Sequence, residues 1–413
     1  MFCLIHLMSP WFNMIKLKQA QAIVLKHAMR APARKAMRVF LKDSFSRVLA
    51  QGLRAVCDRP DFNRSVMDGY ALKSRDIRHP GAVLKITGFV PAGVFPKRPI
   101  KKGECVKIAT GAMVPCGADS VVMKEDASPR AGRYVKILKK IKNGENISFK
   151  GQDFRKGSLL LKKGSLLNTA RIGLLASQGK NKVLVFKPLS VAFLSTGDEV
   201  VEPGMPKKAG QVWNITASML SVALRRFNIV PRYLGLSEDK PRGLLNKIKE
   251  GLKYDVFIIT GAVSEGDLDI VPSTLIKSGV SIKFHKVELR PGKPFLFAVK
   301  GNCLVFGLPG NPVSSLVSFL LFVLPAIRKM SGLREEFLLE KGILQKGVYN
   351  KNDRYSLFPA AMIMKKGRIF IDPVHYNGSA DIRAVAQADA FFMLDKGKIA
   401  TAGSQVDFLR LYI

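Results

Sequence analysis

At 413 residues the chain is too long for one ordinary hydrophobic core, so several domains are expected. Hydrophobic residues make up 47% of it, which excludes a disordered chain. The 67 Lys and Arg outnumber the 31 Asp and Glu, giving a net charge of +36, but they are scattered singly and in pairs. Without a basic helix, an aromatic-interleaved patch or zinc-finger spacing, that charge argues against nucleic-acid binding as the main function and for small anionic substrates.

The segment Met1–Asn13 is apolar but lacks a basic start and a small-residue cleavage site, so it does not read as a signal peptide; it reads as an upstream translation start or a loose tail, which leaves the start open between Met1 and Met14. Residues 14–58 have helical texture, with Phe45, Val48 and Leu49 on one face. From 60 to 143, short β-branched runs alternate with Gly and Pro: Leu84–Thr87, Cys105–Ile108, Ser120–Met123 and Tyr134–Ile137. A local echo at 157–167 predicts paired short strands and a turn, and Thr169–Gln178 a helix ended by Gly179. Residues 188–332 carry a βαβ rhythm, with strands at 191–195, 229–234, 255–260, 282–288 and 303–306. Helices are expected at 216–226, 241–252, from Val271, and from 313 to 329. The apolar run Leu316–Ile327 is too short to span a bilayer and contains Pro325, so it reads as a buried helix. The remainder, 333–413, should be a small β-barrel or sandwich, with turns at Asn377-Gly378 and Lys396-Gly397. The five cysteines, Cys3, Cys57, Cys105, Cys116 and Cys303, are far apart and form no CxxC, which points to a reducing, cytoplasmic setting.

Two apolar runs end in acid-bearing glycine turns: Val191–Glu199, with Thr196-Gly-Asp-Glu199, and Val256–Asp269, with Glu265, Asp267 and Asp269. Strand ends of this kind form the ligand edge of a parallel sheet. Glu199 can reach a hard cation, and carboxylates from both turns could share one Mg²⁺ with a phosphate or oxyanion. No Walker lysine and no GxGxxG accompany them, so neither a P-loop nor a dinucleotide fold is supported. Arg290-Pro-Gly-Lys-Pro294 presents two cations around a Pro-fixed turn, a credible anion clamp. Leu308-Pro-Gly-Asn-Pro312 leads into an apolar helix whose first N–H groups can hold an anion, with Asn311 as cap and Pro312 in the first turn. Asp68 beside Gly69, and the Thr110-Gly-Ala run, read on their own as turns.

In order, these pieces resemble the molybdopterin molybdotransferase family, the MoeA proteins and the E domain of gephyrin. The matching runs are 63–71, 108–125, 195–199, 260–269, 290–294 and 308–312. The resemblance implies a multidomain α/β plus β fold. Its parts would be a helical linking region (1–60 and 144–187), a β-rich domain (61–143), a MogA-like α/β domain with a parallel-type sheet (188–332) and a C-terminal barrel-like β domain (333–413).

It further implies a homodimeric, Mg²⁺-assisted enzyme of molybdenum cofactor biosynthesis. Such an enzyme inserts molybdate into adenylylated molybdopterin and releases AMP, and the upstream molybdopterin adenylyltransferase is an implied partner. By position, Glu199, Asp239 and Asp269 are implied as acidic site residues, with Glu199 and Asp269 on the metal. Asp68, Thr110 and Asp153 would come from the other part of a cleft shared between subunits. Lys286, Arg290 and Lys293 would hold molybdate or phosphates, and Pro309, Asn311, Pro312 and Ser314 would shape the substrate loop. The chain departs from the family pattern at Ala262, Glu265, Asn214, Thr216, Arg290 and Ser148. Those departures leave as alternatives a weakened binding or scaffold protein on the same fold, or a tungstate-handling paralogue.

Overall fold

The computed structural model of the protein describes residues 14–30, 34–237, 241–261, 270–334 and 339–411. The chain divides into two compact units: Met1–Gln51 with Gly164–Ile172 and Lys182–Ile413, and Gly52–Lys163 with Gly173–Asn181.

The first unit is built on a six-stranded sheet. Strands Arg232–Ser237, Val191–Thr196, Val256–Thr260 and Cys303–Leu308 run parallel in that spatial order. Leu296–Lys300 then adds antiparallel to Cys303–Leu308, followed by Ser281–His285. Every residue of Val191–Thr196, Val256–Thr260 and Cys303–Leu308 is buried. Covering both faces of a strand is what makes it read as an unbroken apolar run. The faces alternate as the pleat requires. Phe193, Ile258 and Phe306 join a core with the helices Ile215–Arg225 and Pro312–Ser318, while Leu194, Phe257 and Val305 pack with Leu244, Ile248, Val271 and Leu275 on the other side.

The helical run from Pro312 to Met330 is interrupted by a π-turn at Phe319–Val323. Pro325 supplies the cause: it has no N–H, and its ring crowds the carbonyl four residues back. That carbonyl belongs to Leu321, and Gln21 Nε2 from the helix Leu17–Met29 donates to it at 3.3 Å. The run is 19 residues long, long and apolar enough to cross a bilayer by length and composition, contrary to the shorter reading from sequence. Since 83% of it is buried inside the protein, it is a core helix.

The C-terminal strands close on themselves. Tyr355–Lys365 pairs with Arg368–Pro373, and then come Glu340–Leu344, Gln405–Arg410 and Ala390–Leu394, which returns to Tyr355–Lys365. The Lys366-Gly367 turn has positive φ at both residues, the geometry that matches strand twist in a two-residue hairpin. This barrel also takes Leu289–Arg290 as a parallel partner of Tyr355–Ser356.

The second unit holds another six-stranded sheet, in the order Ser120–Met123, Gly69–Leu72, Glu104–Ile108, Val83–Val90, Tyr134–Ile137 and Ala127–Arg130. Gly69 admits no side chain, because a Cβ there would lie 1.8 Å from the Val122 carbonyl oxygen.

Three sequence expectations change. Within 14–58 the α-helix covers only Leu17–Met29; Ala36–Phe40 is a strand antiparallel to Lys182–Phe186. Val48 and Leu49 make strand bridges to Leu166 and Val185, so they do not share a helix face with Phe45. The halves of the 157–167 echo do not pair with each other: Leu159–Leu161 joins Leu53–Arg54, and Leu166 joins Val48. The sheet expected to be parallel is mixed. The unexpected strand Leu296–Lys300 follows from a hairpin through Gly301-Asn302, too short for any parallel crossover.

Gly69→Ala is expected to destabilise the second unit by about 3 kcal/mol, the upper range for overpacking. Thermal unfolding of the purified variant checks this, and an unchanged transition would refute the close approach.

Candidate active site

The C-terminal ends of Val191–Thr196 and Val256–Thr260 turn sharply at glycines. Gly261 has φ +84°, and a Cβ there would come within 2.3 Å of the Thr196 carbonyl oxygen. Its N–H donates to Leu308 O at 3.2 Å, so three neighbouring strand ends meet at this glycine. Gly197 has φ +133°, and the Glu199 carboxylate lies over it, 2.8 Å from where a Cβ would sit. The turn therefore folds the acid back toward the sheet edge, which a side chain at 197 would prevent.

A buried polar network supports these ends. Asn214 caps the helix Ile215–Arg225, its Oδ1 accepting from Ala217 N at 3.1 Å. Its Nδ2 donates to Ser195 Oγ (3.0 Å), Tyr233 OH (2.9 Å) and Glu202 Oε1 (3.3 Å). Tyr233 in turn donates to Glu202. Burial, and then the bond to Glu202, push the Tyr233 phenol well above its ordinary pKa. It stays a neutral donor to Glu202.

Beyond the strand ends opens a cavity of about 1010 Å³. Glu199, Arg290, Lys293, Pro309, Asn311, Pro312 and Ser314 line it, as do Asn214 and Thr216. The 286–295 turn is closed by backbone bonds from Lys286 N to Phe295 O (2.9 Å) and from Val287 N to Lys293 O (3.0 Å). Lys286 does not line the cavity but stands near Lys293. Burial, and then the charge of Lys293, hold its ammonium below the usual lysine range. Ser315 Oγ bonds the Pro309 carbonyl and fixes the following loop. Asn311 occupies the cap position, but contrary to the sequence reading its side chain does not cap the helix; it donates to Ser379 Oγ at 3.1 Å. The N–H of Val313 is taken by Ser379 O at 3.2 Å, so that group is not available for an anion.

The barrel supplies another part of the lining, including Asn352, Arg354, Tyr376 and Ser379. Sequence reasoning missed these residues, because nothing local marks a cavity formed by segments some sixty residues apart. Burial pushes the Tyr376 phenol up to about 12, and its hydroxyl has no hydrogen-bond partner among the described residues.

In the second unit, Asp68 and Thr110 meet because Gly69 is in register with Ile108. Asp68 Oδ1 accepts from Thr110 N (2.7 Å) and Thr110 Oγ1 (3.0 Å). The backbone bond first, then the hydroxyl, hold the Asp68 carboxyl below its usual range. Asp153 sits on a separate loop, 3.8 Å from Arg59 Nε. Asp239, Asp269, Ala262 and Glu265 lie outside the described residues. No group of three or more His, Cys, Asp or Glu that could hold a metal occurs among the described residues. Among the described residues that line the cavity the one carboxylate is Glu199, and it shares the cavity with Arg290, Lys293 and Arg354. That suits Mg²⁺, which takes one or two carboxylates and fills its other positions with substrate oxygens and water.

Three family models cover most of the chain: "MoeA N-terminal region (domain I and II)" over 15–179, "Probable molybdopterin binding domain" over 192–329 and "MoeA C-terminal region (domain IV)" over 341–411. The molybdopterin molybdenumtransferase of Staphylococcus epidermidis (strain RP62A) is 30% identical over 402 residues, covering 96% of this chain and 95% of that protein. That of Bacillus subtilis (strain 168) is 32% identical, covering 87% and 86%. The molybdopterin biosynthesis MoeA protein from Pyrococcus horikoshii OT3 superimposes with a TM-score of 0.81 at 26% identity, covering 96% of this chain and 99% of that one.

Asn214→Ala removes a cap and three donor contacts, and is expected to cost about 2 kcal/mol or more. Asn214→Asp keeps the cap acceptor but sets a carboxylate against Glu202. Its deficit should shrink as pH falls and one acid protonates, so melting curves at acidic and neutral pH should converge toward wild type only on the acidic side.

Proposed function

The chain belongs to the MoeA family of molybdopterin molybdenumtransferases, and on that premise we propose that it inserts molybdate into adenylylated molybdopterin with release of AMP, assisted by Mg²⁺. The carrying observation is a single cavity that joins one strand-end carboxylate, Glu199, to Arg290 and Lys293. An anionic nucleotide and an oxyanion need cations, and a divalent metal needs a carboxylate.

In this reading Arg290 and Lys293 hold the oxyanion and phosphate oxygens. Lys293 acts as a point charge and Arg290 as a planar fork. Glu199 holds the metal, joined by Asp269 and with Asp239 nearby as a further acid. When bound, Mg²⁺ supplies charge neutralisation at the adenylate phosphate and lowers the cost of its departure. Lys286 adds positive potential beside Lys293. Pro309, Asn311, Pro312 and Ser314 form the loop beneath the substrate. Asp68 with Thr110, and Asp153, are further candidates for substrate contact, and the bonds from Thr110 favour the charged form of Asp68. Family likeness supports a homodimer as the working form, and with it a functional link to the upstream adenylyltransferase. The unpaired thiols Cys57, Cys105, Cys116 and Cys303 support a cytoplasmic setting. Glu199, Arg290 and Lys293 in one cavity favour catalysis over a scaffold role.

The decisive assay incubates the purified protein with adenylylated molybdopterin, Mg²⁺ and molybdate, and measures AMP and finished cofactor. Binding without AMP release would sink the enzymatic reading. Glu199→Ala is expected to lower AMP release about 100-fold or more while sedimentation still shows a dimer.

Lys286 gives a pH signature. Its folded pKa is lowered, so its charge disappears at a lower pH than that of an ordinary lysine. Molybdate affinity should therefore decline, as pH rises from neutral into the alkaline range, at a lower pH than an ordinary lysine would allow. Titrations of Lys286→Ala across that range should lack this limb of the profile; an identical profile would remove Lys286 from the anion site.

A further inference from the structure

Trp213 is an unusual side chain to leave in water. It is 49% exposed, lies on the cavity that holds Glu199, Arg290 and Lys293, and is flanked there by exposed Val212 and Ile215. Exposed aromatics standing singly are ordinary; a cluster lining a cavity with convergent charges marks a ligand surface.

The ring is held in place. Its Nε1 donates to Met205 O at 3.2 Å, and Lys207 Nζ sits 5.1 Å from its centroid, within cation–π range. The loop carrying both residues is closed by Lys208 N donating to Gln211 Oε1 (2.9 Å). The backbone of the same strand is tied to the acidic turn, Val212 N to Glu199 O and Asn214 N to Val201 O, both 2.8 Å. Trp213 is therefore a preordered flat face fixed relative to the candidate metal carboxylate, with its rotamer entropy already spent before a ligand arrives.

We infer that Trp213 is the stacking platform for the planar, nitrogen-rich heterocycle of the substrate, while Arg290 and Lys293 in the same cavity take the phosphate attached to it. The inference rests on the proposed function, which supplies a substrate with two such rings, a pterin and an adenine, each carrying phosphate. Stacking needs a π-face and little hydrogen-bond readout, so an aromatic of another kind should substitute for it.

The test is calorimetric titration of the wild-type protein, Trp213→Ala and Trp213→Phe with AMP and, separately, with 6-carboxypterin. Trp213→Ala should weaken one of the two probes about 10-fold, the scale of one stacked base, and Trp213→Phe should recover most of that loss. The weakened probe identifies which ring stacks. Wild-type affinity for both probes in Trp213→Ala overturns the stacking role and leaves the proposed function standing. An equal loss in Trp213→Phe and Trp213→Ala also overturns it. Failure of the wild-type protein to bind either probe overturns both readings together.

Discussion

The carbonyl of Thr196 leaves no space for a side chain at residue 261. Around that close approach the ligand edge is assembled: Thr196 Oγ1 donates to Thr260 O at 3.1 Å, and Gly261 N donates to Leu308 O. Three buried strands therefore end at one level, and the turns that leave them must diverge at the same place. The polar ends are buried too, so they need partners. Asn214, Tyr233 and Ser195 provide them and also set the start of the next helix. Core packing, helix entry and site geometry are consequences of one contact.

The electrostatics follow from what that edge exposes. A chain with a net charge of +36 presents to this cavity two cations from one turn and a third, Arg354, from the barrel, against the carboxylate of Glu199. Such a field concentrates anions near the opening and speeds their capture, and added salt weakens it. The lowered pKa of Lys286 comes first from burial and then from the neighbouring charge of Lys293, since positive groups repel one another when no anion is between them.

Much of this was legible in the chain. The runs at 191–196, 256–260 and 303–308 read as buried strands because both faces are covered, and the acid-bearing turns at their ends read as ligand loops because glycine and carboxylates follow directly. The helix from Pro312 was legible from Pro at its start and its unbroken apolar length. Other features depended on partners distant in sequence. Ala36–Phe40 has the composition of a helix and becomes a strand only because Lys182–Phe186 offers it a ladder. Asn311 has the identity of a cap, yet Ser379 competes successfully for its amide. Arg354 and Tyr376 reach the cavity through barrel closure, which no local pattern announces.

The pairing of Leu289–Arg290 with Tyr355–Ser356 joins the clamp to the barrel by backbone rather than by side chains. Substitution on the barrel surface leaves such a joint intact, whereas a register slip of a single residue in Tyr355–Lys365 would carry Arg290 with it. The barrel is thus a jig for the arginine as well as a wall. The position of Arg290 against the barrel is set by main-chain pairing with Ser356, a gauge that stays fixed whatever side chains the barrel's outer face carries.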